Sequence, residues 1–453
     1  MTPRKSGFDI LHWVFPAMLM LAALGVLTSG RDLSEAFLTL EKEVEGVLDT
    51  TRGPVLAWTQ RVVSVLLIAA SLQRIASHFM ERRPVPSASL TTAFLFFWLA
   101  TVALPAAFGA KPMISHEFAY SLLLGLAVTL SGPKDAERVL DASRNGLFVY
   151  MLAGIALVPL APGLVLDTNY AQGLLPGVPR FGGVASHPVA MGMLCQTGLL
   201  LLWARPFERR WLNVACWTIG LVVLFFAQSK TAWVAFMISA LCMVLVRRTP
   251  DSVERMGDPR DSSFGVLLCF GIIVLVLAAL GAFVADVPGM IDDYFNTAAG
   301  AQLASLTGRD RIWIVAMEEW ANNPIFGYGP LIWDADYRQS IGMPNATHAH
   351  NQMIDTLARA GTIGGIALTI YAIVLLVMSF RYARATRGLS LAMFATLFML
   401  SISEVPLMLA GYGTDVFTHL LLVAAVAGAA AARKPRTAVR AEPITPTPFR
   451  TVA

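Results

Sequence analysis

Residues 346–380 read ATHAHNQMIDTLARAGTIGGIALTIYAIVLLVMSF, a polar segment with two histidines that runs directly into an apolar stretch. From Gln352 onward the run is long enough, as a helix, to cross roughly 30 Å of hydrocarbon. The stretch therefore implies a fold built of membrane-spanning helices and a wet boundary where reactive side chains stand at the mouth of one of them. Just upstream, residues 287–349 form a long polar and aromatic connection that contains TGRDRIW (Thr307–Trp313) and NPIFGYG (Asn323–Gly329). Connections of this length are usually functional or disordered. The tryptophans, tyrosines and prolines in it argue against disorder, so this loop is read as the site.

The composition agrees with a membrane protein. Only 14% of the 453 residues are charged and 56% are hydrophobic, with a mean hydropathy of +0.62; soluble domains carry about a quarter charged residues. Apolar stretches of spanning length fall near 11–29, 54–77, 88–108, 113–131, 146–166, 186–204, 212–228, 231–247, 264–286, 352–380, 389–411 and 416–432. The expected fold is an all-α polytopic membrane protein with about 12 transmembrane helices and a long, partly helical outward loop. Residues 1–433 are read as the transmembrane helical domain. Residues 287–351 would be the catalytic loop, between helices 9 and 10, and 434–453, rich in Pro, Thr and Arg, a disordered tail.

Charge sets the orientation. Most of the 34 lysines and arginines fall in alternate loops, including Arg4 and Lys5, Arg82 and Arg83, Arg209 and Arg210, Arg247 and Arg248, and Arg384 and Arg387. The positive-inside tendency then places both termini in the cytoplasm and the long loop outside. A pI near 8.9 needs no nucleic acid, because the basic residues are spread through short loops instead of forming one face. Cys195, Cys216, Cys242 and Cys269 lie in apolar runs without metal or redox spacing and read as small buried hydrophobes. The acidic stretch at 30–53 fits an amphipathic surface helix.

Among the outward cations, Lys230, Arg180, Arg309 and Arg311 stand apart. Lys230 splits two apolar runs beside Gln228, Ser229 and Thr231; an ammonium there needs water, phosphate or another anion, unless it merely snorkels. Arg309 opens an expected helix, whose free N–H groups and dipole suit a phosphate, although pairing of Asp310 with a nearby arginine is the plain alternative. Arg180 precedes two glycines, and Arg311 lies in the same helix as Arg309. Outward-facing Arg31 is assigned no more than solvation or snorkelling.

His348 and His350 flank an alanine, and Asn351 is suited to cap the helix that follows. A neutral imidazole at a wet boundary near cations can act as a general base; a structural histidine is the competing reading. The sequence offers no carboxylate cluster to complete a metal shell around the pair, so no metal is expected. His187 is either supporting or a helix cap. Tyr328 and its aromatic neighbours could line a sugar cleft or form an interfacial belt. Glu404 is placed inside the eleventh span, where a carboxylate normally has a partner. No nucleotide-binding fingerprint stands in a credible context. Three cations and an imidazole suit the holding of a lipid-linked diphosphate while a hydroxyl is activated.

At these residues the chain resembles the O-antigen ligase and polymerase family of bacterial inner-membrane glycan transferases. The resemblance covers about residues 178–370: Arg180 to Gly192, SKTAW (Ser229–Trp233), TGRDRIW, NPIFGYG, and the histidine segment from His348 to Gly365. The SKTA and GYGPLIW segments are closest to the exopolysaccharide polymerase branch. The resemblance implies a GT-C-like, metal-independent, inverting transferase without cofactor. Its donor would be an undecaprenyl-diphosphate-linked glycan at the periplasmic face of the inner membrane, and its acceptor a glycan hydroxyl or the lipid A core. His350 would be the catalytic base, with Lys230, Arg309 and Arg180 at the diphosphate and Asn351, His348, Arg311 and Tyr328 in support. Membrane lipid, a chain-length regulator and export proteins would be its partners. A ligase is the nearest alternative. A secondary transporter or flippase, of another class, would need its essential polar groups, such as Glu404, near the bilayer midplane, and a scaffold would tolerate loss of His350.

Overall fold

The computed structural model describes residues 10–33, 54–169, 175, 177–266, 309–343, 346–409 and 411–433. Most of the expected surface helix at 30–53, most of the ninth span at 264–286, the first part of the loop at 287–308 and the tail at 434–453 lie outside the described residues.

Helix formation follows the apolar runs. The first half contributes α1 (Leu11–Thr28), α2 (Pro54–Met80), α3 (Ala88–Phe108, with a π-turn at Leu99–Ala103), α4 (Glu117–Thr129) and α5 (Pro133–Leu157). α6 (Pro188–Ala204), α7 (Arg210–Phe226) and α8 (Lys230–Arg248) follow, then the short α9 (Pro250–Met256). The loop supplies α10 (Arg309–Asn322) and α11 (Ala335–Ser340), and α12 (Gln352–Arg381), α13 (Leu389–Ser403) and α14 (Phe417–Ala432) complete the described bundle. A two-residue antiparallel pairing, Leu166–Asp167 with Arg180–Phe181, is the strand content of the described residues.

Each expected span outside 264–286 is helical, but six helices among the described residues are long and apolar enough to cross a membrane. The count of about 12 is therefore not confirmed, while a mostly helical membrane protein is. Two boundaries are corrected. The fifth span begins at Pro133 instead of 146, with Asp135 Oδ2 accepting the Gly132 N–H at 3.2 Å as a cap. It ends at Leu157 because Pro159 lacks an N–H and disfavours helix before it. The eleventh span stops at Ser403, since Pro406 restrains Val405, and Glu404 is extended at φ −150°, ψ −177°. Glu404 is thus at a helix end.

The interior is built around Thr414–Ala432, most of which is buried, whereas α2 and α8 keep broad apolar faces outward. α8 packs along α13, α14 along α5, and α10 on α12. The loop has its own small core: Ile312, Ala316, Tyr328, Ile332, Trp333, Tyr337, Ala346, Ala349 and Ala358 pack together. It is seated on α12 through a helix break at Gly361 (φ 64°, ψ −165°). There Tyr328 and Gly329 N–H groups donate to Ala358 and Arg359 carbonyls at 2.8 and 3.0 Å, and Thr362 N–H donates to Pro324 at 2.7 Å. A Cβ on Gly361 would stand 2.3 Å from the Ile325 carbonyl oxygen. The positive φ and the contact both require glycine.

Candidate active site

The histidine turn is held from below. The buried Asp355, one turn into α12, accepts the Ala349 N–H at 3.1 Å and the Trp333 indole N–H at 2.8 Å through Oδ1. Its Oδ2 pairs with Arg359, which also donates to the Pro330 carbonyl at 2.7 Å. Trp313 donates to the Ala349 carbonyl at 2.7 Å. Asn351 then caps α12, accepting the N–H groups of Met353 and Ile354 at 3.0 and 3.1 Å. Fixed on both sides, His350 takes φ +49°, a left-handed conformation that costs a non-glycine residue free energy and is kept only where its surroundings impose it.

Three residues remote in sequence converge on Glu404. Its Oε2 lies 3.3 Å from His350 Nδ1 and 3.5 Å from His348 Nε2, and its Oε1 lies 3.8 Å from an Arg309 guanidinium nitrogen. The two imidazoles meet edge to face with centroids 4.2 Å apart. Burial opposes ionisation of Glu404, but the His350 hydrogen bond and the electrostatic pull of His350, His348 and Arg309 outweigh it and hold the carboxyl below its usual range. Burial, and then His350, lower His348, with Glu404 and Asp355 acting the other way.

The Lys230 turn reaches the same place. Ser229 caps α8 by accepting the Ala232 N–H at 3.3 Å, which leaves Lys230 exposed as the first residue of the helix. Its neighbour Thr231 is bonded by Ser403, the residue before Glu404, at 3.3 Å. Arg180 lies under this turn: it is buried and donates through Nε to the Ala227 carbonyl at 2.8 Å. His187 is close enough to feel Arg180, Glu404 and His350. Crowding by protein and then Arg180 lower its imidazole to about 4, against the pull of Glu404. Its Nδ1 accepts the Val189 N–H at 3.2 Å, so it caps α6.

Other expected site residues stand elsewhere. Arg311 points to the Ile341 carbonyl, 3.4 Å away within the loop, and Tyr328 is buried in the loop core beneath the Lys111 ammonium. Arg31 departs from its solvated reading, since it donates to the carbonyls of Leu164, Gly183 and Ser186. Glu404 is the residue that sequence reasoning placed wrongly. The available signal was the proline two residues on, which ends the helix and leaves the acid just past its last residue.

Glu404 also changes the metal question, because a carboxylate does join the histidine pair. The ligating atoms of His348, His350 and Glu404 lie within 4.8 Å of one another, a spacing a divalent cation could bridge. The Arg309 guanidinium already faces that carboxylate and would repel a second cation.

No curated protein matches the chain. Residues 214–369 match the model of the O-antigen ligase family, a stretch that contains Lys230, Arg309, His348 and His350 but ends before Glu404. The match supports an O-antigen ligase or polymerase type of glycan transferase, for which lipid-linked glycans are the implied substrates. By this match, the segment that carries the loop and the histidines, about a third of the chain, is similar to the O-antigen ligase family.

Proposed function

We propose that the protein is a periplasmic-face glycosyltransferase of the inner membrane that polymerises exopolysaccharide repeat units. The glycan moves from an undecaprenyl-diphosphate donor to a sugar hydroxyl. The observation that carries the reading is the meeting of His350 and Arg309 at one carboxylate, with the Lys230 turn tied to the adjacent serine. His350 takes the acceptor hydroxyl proton, the oxygen attacks the anomeric carbon from the side opposite the phosphate, and the anomeric C–O bond breaks with inversion. The electron pair leaves with undecaprenyl diphosphate, whose charge Arg309 and Lys230 stabilise. Arg180 acts beneath them by holding the Ala227–Lys230 turn. No nucleotide is consumed, because the departing diphosphate supplies the driving force.

The SKTA and GYGPLIW segments favour polymerase over ligase. The test is a knockout complemented with wild type or His350→Ala, followed by sizing of surface polysaccharide and lipopolysaccharide. Loss of long extracellular polymer with unchanged lipopolysaccharide is expected; lipid-linked polymer that accumulates over bare core would make the protein a ligase instead. Full product from His350→Ala would remove the assigned base. The reaction is read as metal-independent because Arg309 supplies positive charge at the carboxylate, so activity that disappears with a chelator and returns with one divalent ion would contradict it.

A further inference from the structure

We propose that Glu404 is the positioning residue of this transfer: one carboxylate orients the His350 ring for proton abstraction and holds Arg309 in register with it. The inference rests on the transferase reading above and adds a residue that lies outside the family match.

The argument begins with hydrogen-bond inventory. An ionised carboxylate only accepts, so the 3.3 Å contact requires the proton of neutral His350 on Nδ1. The lone pair is then on Nε2, the nitrogen turned from Glu404. His348 has the opposite tautomer: its Nδ1 accepts the His350 backbone N–H at 3.1 Å, so its proton is on Nε2 and points to the same Glu404 oxygen at 3.5 Å. Of two adjacent imidazoles, His350 is the one set to take a proton, and His348 braces the carboxylate.

The mounting of Glu404 suits that role. Its N–H donates to Leu400 at 2.7 Å, Asn351 donates to the Ile402 carbonyl at 3.3 Å, and Gln352 accepts the Leu407 N–H at 2.8 Å. With the Ser403–Thr231 bond, the segment is pinned to the first turns of both α12 and α8. Side-chain exposure also increases outward, from 15% for Glu404 to 28% for His350 and 34% for Arg309. The carboxylate is behind, and the groups it orients face the substrate. Such a half-buried acid is costly without partners; here it has three.

Glu404→Gln keeps the shape, removes the charge and can present an amide N–H to Nδ1, which would invert the tautomer. Purified wild type, Glu404→Gln, Glu404→Asp and His350→Ala would be compared with an undecaprenyl-diphosphate-linked repeat unit as donor, per folded molecule. The expected result is a fall in kcat for Glu404→Gln of about 10²–10⁴-fold, by analogy with tautomer loss in a catalytic triad, partial recovery in Glu404→Asp, and a donor KM that moves far less. Near-wild-type kcat in folded Glu404→Gln, with His350→Ala inactive, would overturn the role of Glu404 and leave the transferase reading standing. A raised KM with unchanged kcat would assign Glu404 to donor binding through Arg309 alone and also overturn it. Loss of folded protein in both Glu404 variants would make the acid structural. An active His350→Ala would instead bring down the underlying reading.

Discussion

NPIFGYG and THAHN are both polar or aromatic segments of the loop before α12, yet they do different work. The first acts through its backbone: Tyr328 and Gly329 N–H groups satisfy carbonyls exposed by the break at Gly361, and the ring of Tyr328 is buried in the loop core. The second acts through side chains, since the backbone around His350 is fixed by Asp355, Trp313 and Asn351 so that two imidazoles face Glu404. The contrast separates architecture from chemistry within one motif-rich stretch. A glycine motif here secures a helix break, and a strained histidine stands where the proposed chemistry falls.

The contrast is tested most severely by exchanging the kind of damage. His350→Ala should leave folded, correctly inserted protein and lower transfer about 10²–10⁴-fold, the usual contribution of a general base, as measured by product formation per folded molecule. Gly361→Ala should do the reverse. Its Cβ meets backbone at a position with positive φ, so the melting temperature should fall by several degrees, for a loss of about 1–3 kcal/mol, while surviving molecules keep most of their kcat. If Gly361→Ala were inactive but fully stable, the backbone role of the NPIFGYG contact would be wrong.

Arg309→Ala and Lys230→Ala should be milder than His350→Ala. A hydrogen bond to a charged partner is worth about 1.5–3 kcal/mol, so a rise in donor KM of about 10–100-fold is expected from titration with the lipid-linked donor. Unchanged KM in both would remove them from the diphosphate site. The smallest effect concerns His187. Its folded-state imidazole, lowered to about 4, is below the unfolded value near 6.5, so its contribution is present at neutral pH and is lost as pH falls from about 6.5 towards 4. His187→Asn, which keeps a capping acceptor, should flatten the acid side of a melting-temperature profile; an unchanged profile would show that another group sets it.

Much of this was legible in sequence. Run length gave the helical membrane fold, Asn351 gave the start of α12, and Arg309 and His350, singled out in sequence, both stand at Glu404 in the fold. Other features were hidden for physical reasons. Glu404 sits 54 residues beyond His350, in a run that looks continuous by hydropathy, and only the approach of two imidazoles and an arginine in the fold marks it out. Arg31 looks like any loop cation, because carbonyls that bind a guanidinium leave no mark in composition. Asp355 reads as one polar residue at a helix start, although it fixes both Trp333 and the Ala349 turn.

The most direct measurement is an experimental structure of the His350→Ala protein in lipid with an undecaprenyl-diphosphate glycan trapped before transfer. The expected map shows the diphosphate against Arg309 and Lys230, with the anomeric carbon opposite the space vacated by the imidazole. Density for the diphosphate at the Arg247 and Arg387 end of the bundle, or Lys230 turned away from Arg309, would contradict the shared pocket on which the transfer mechanism rests.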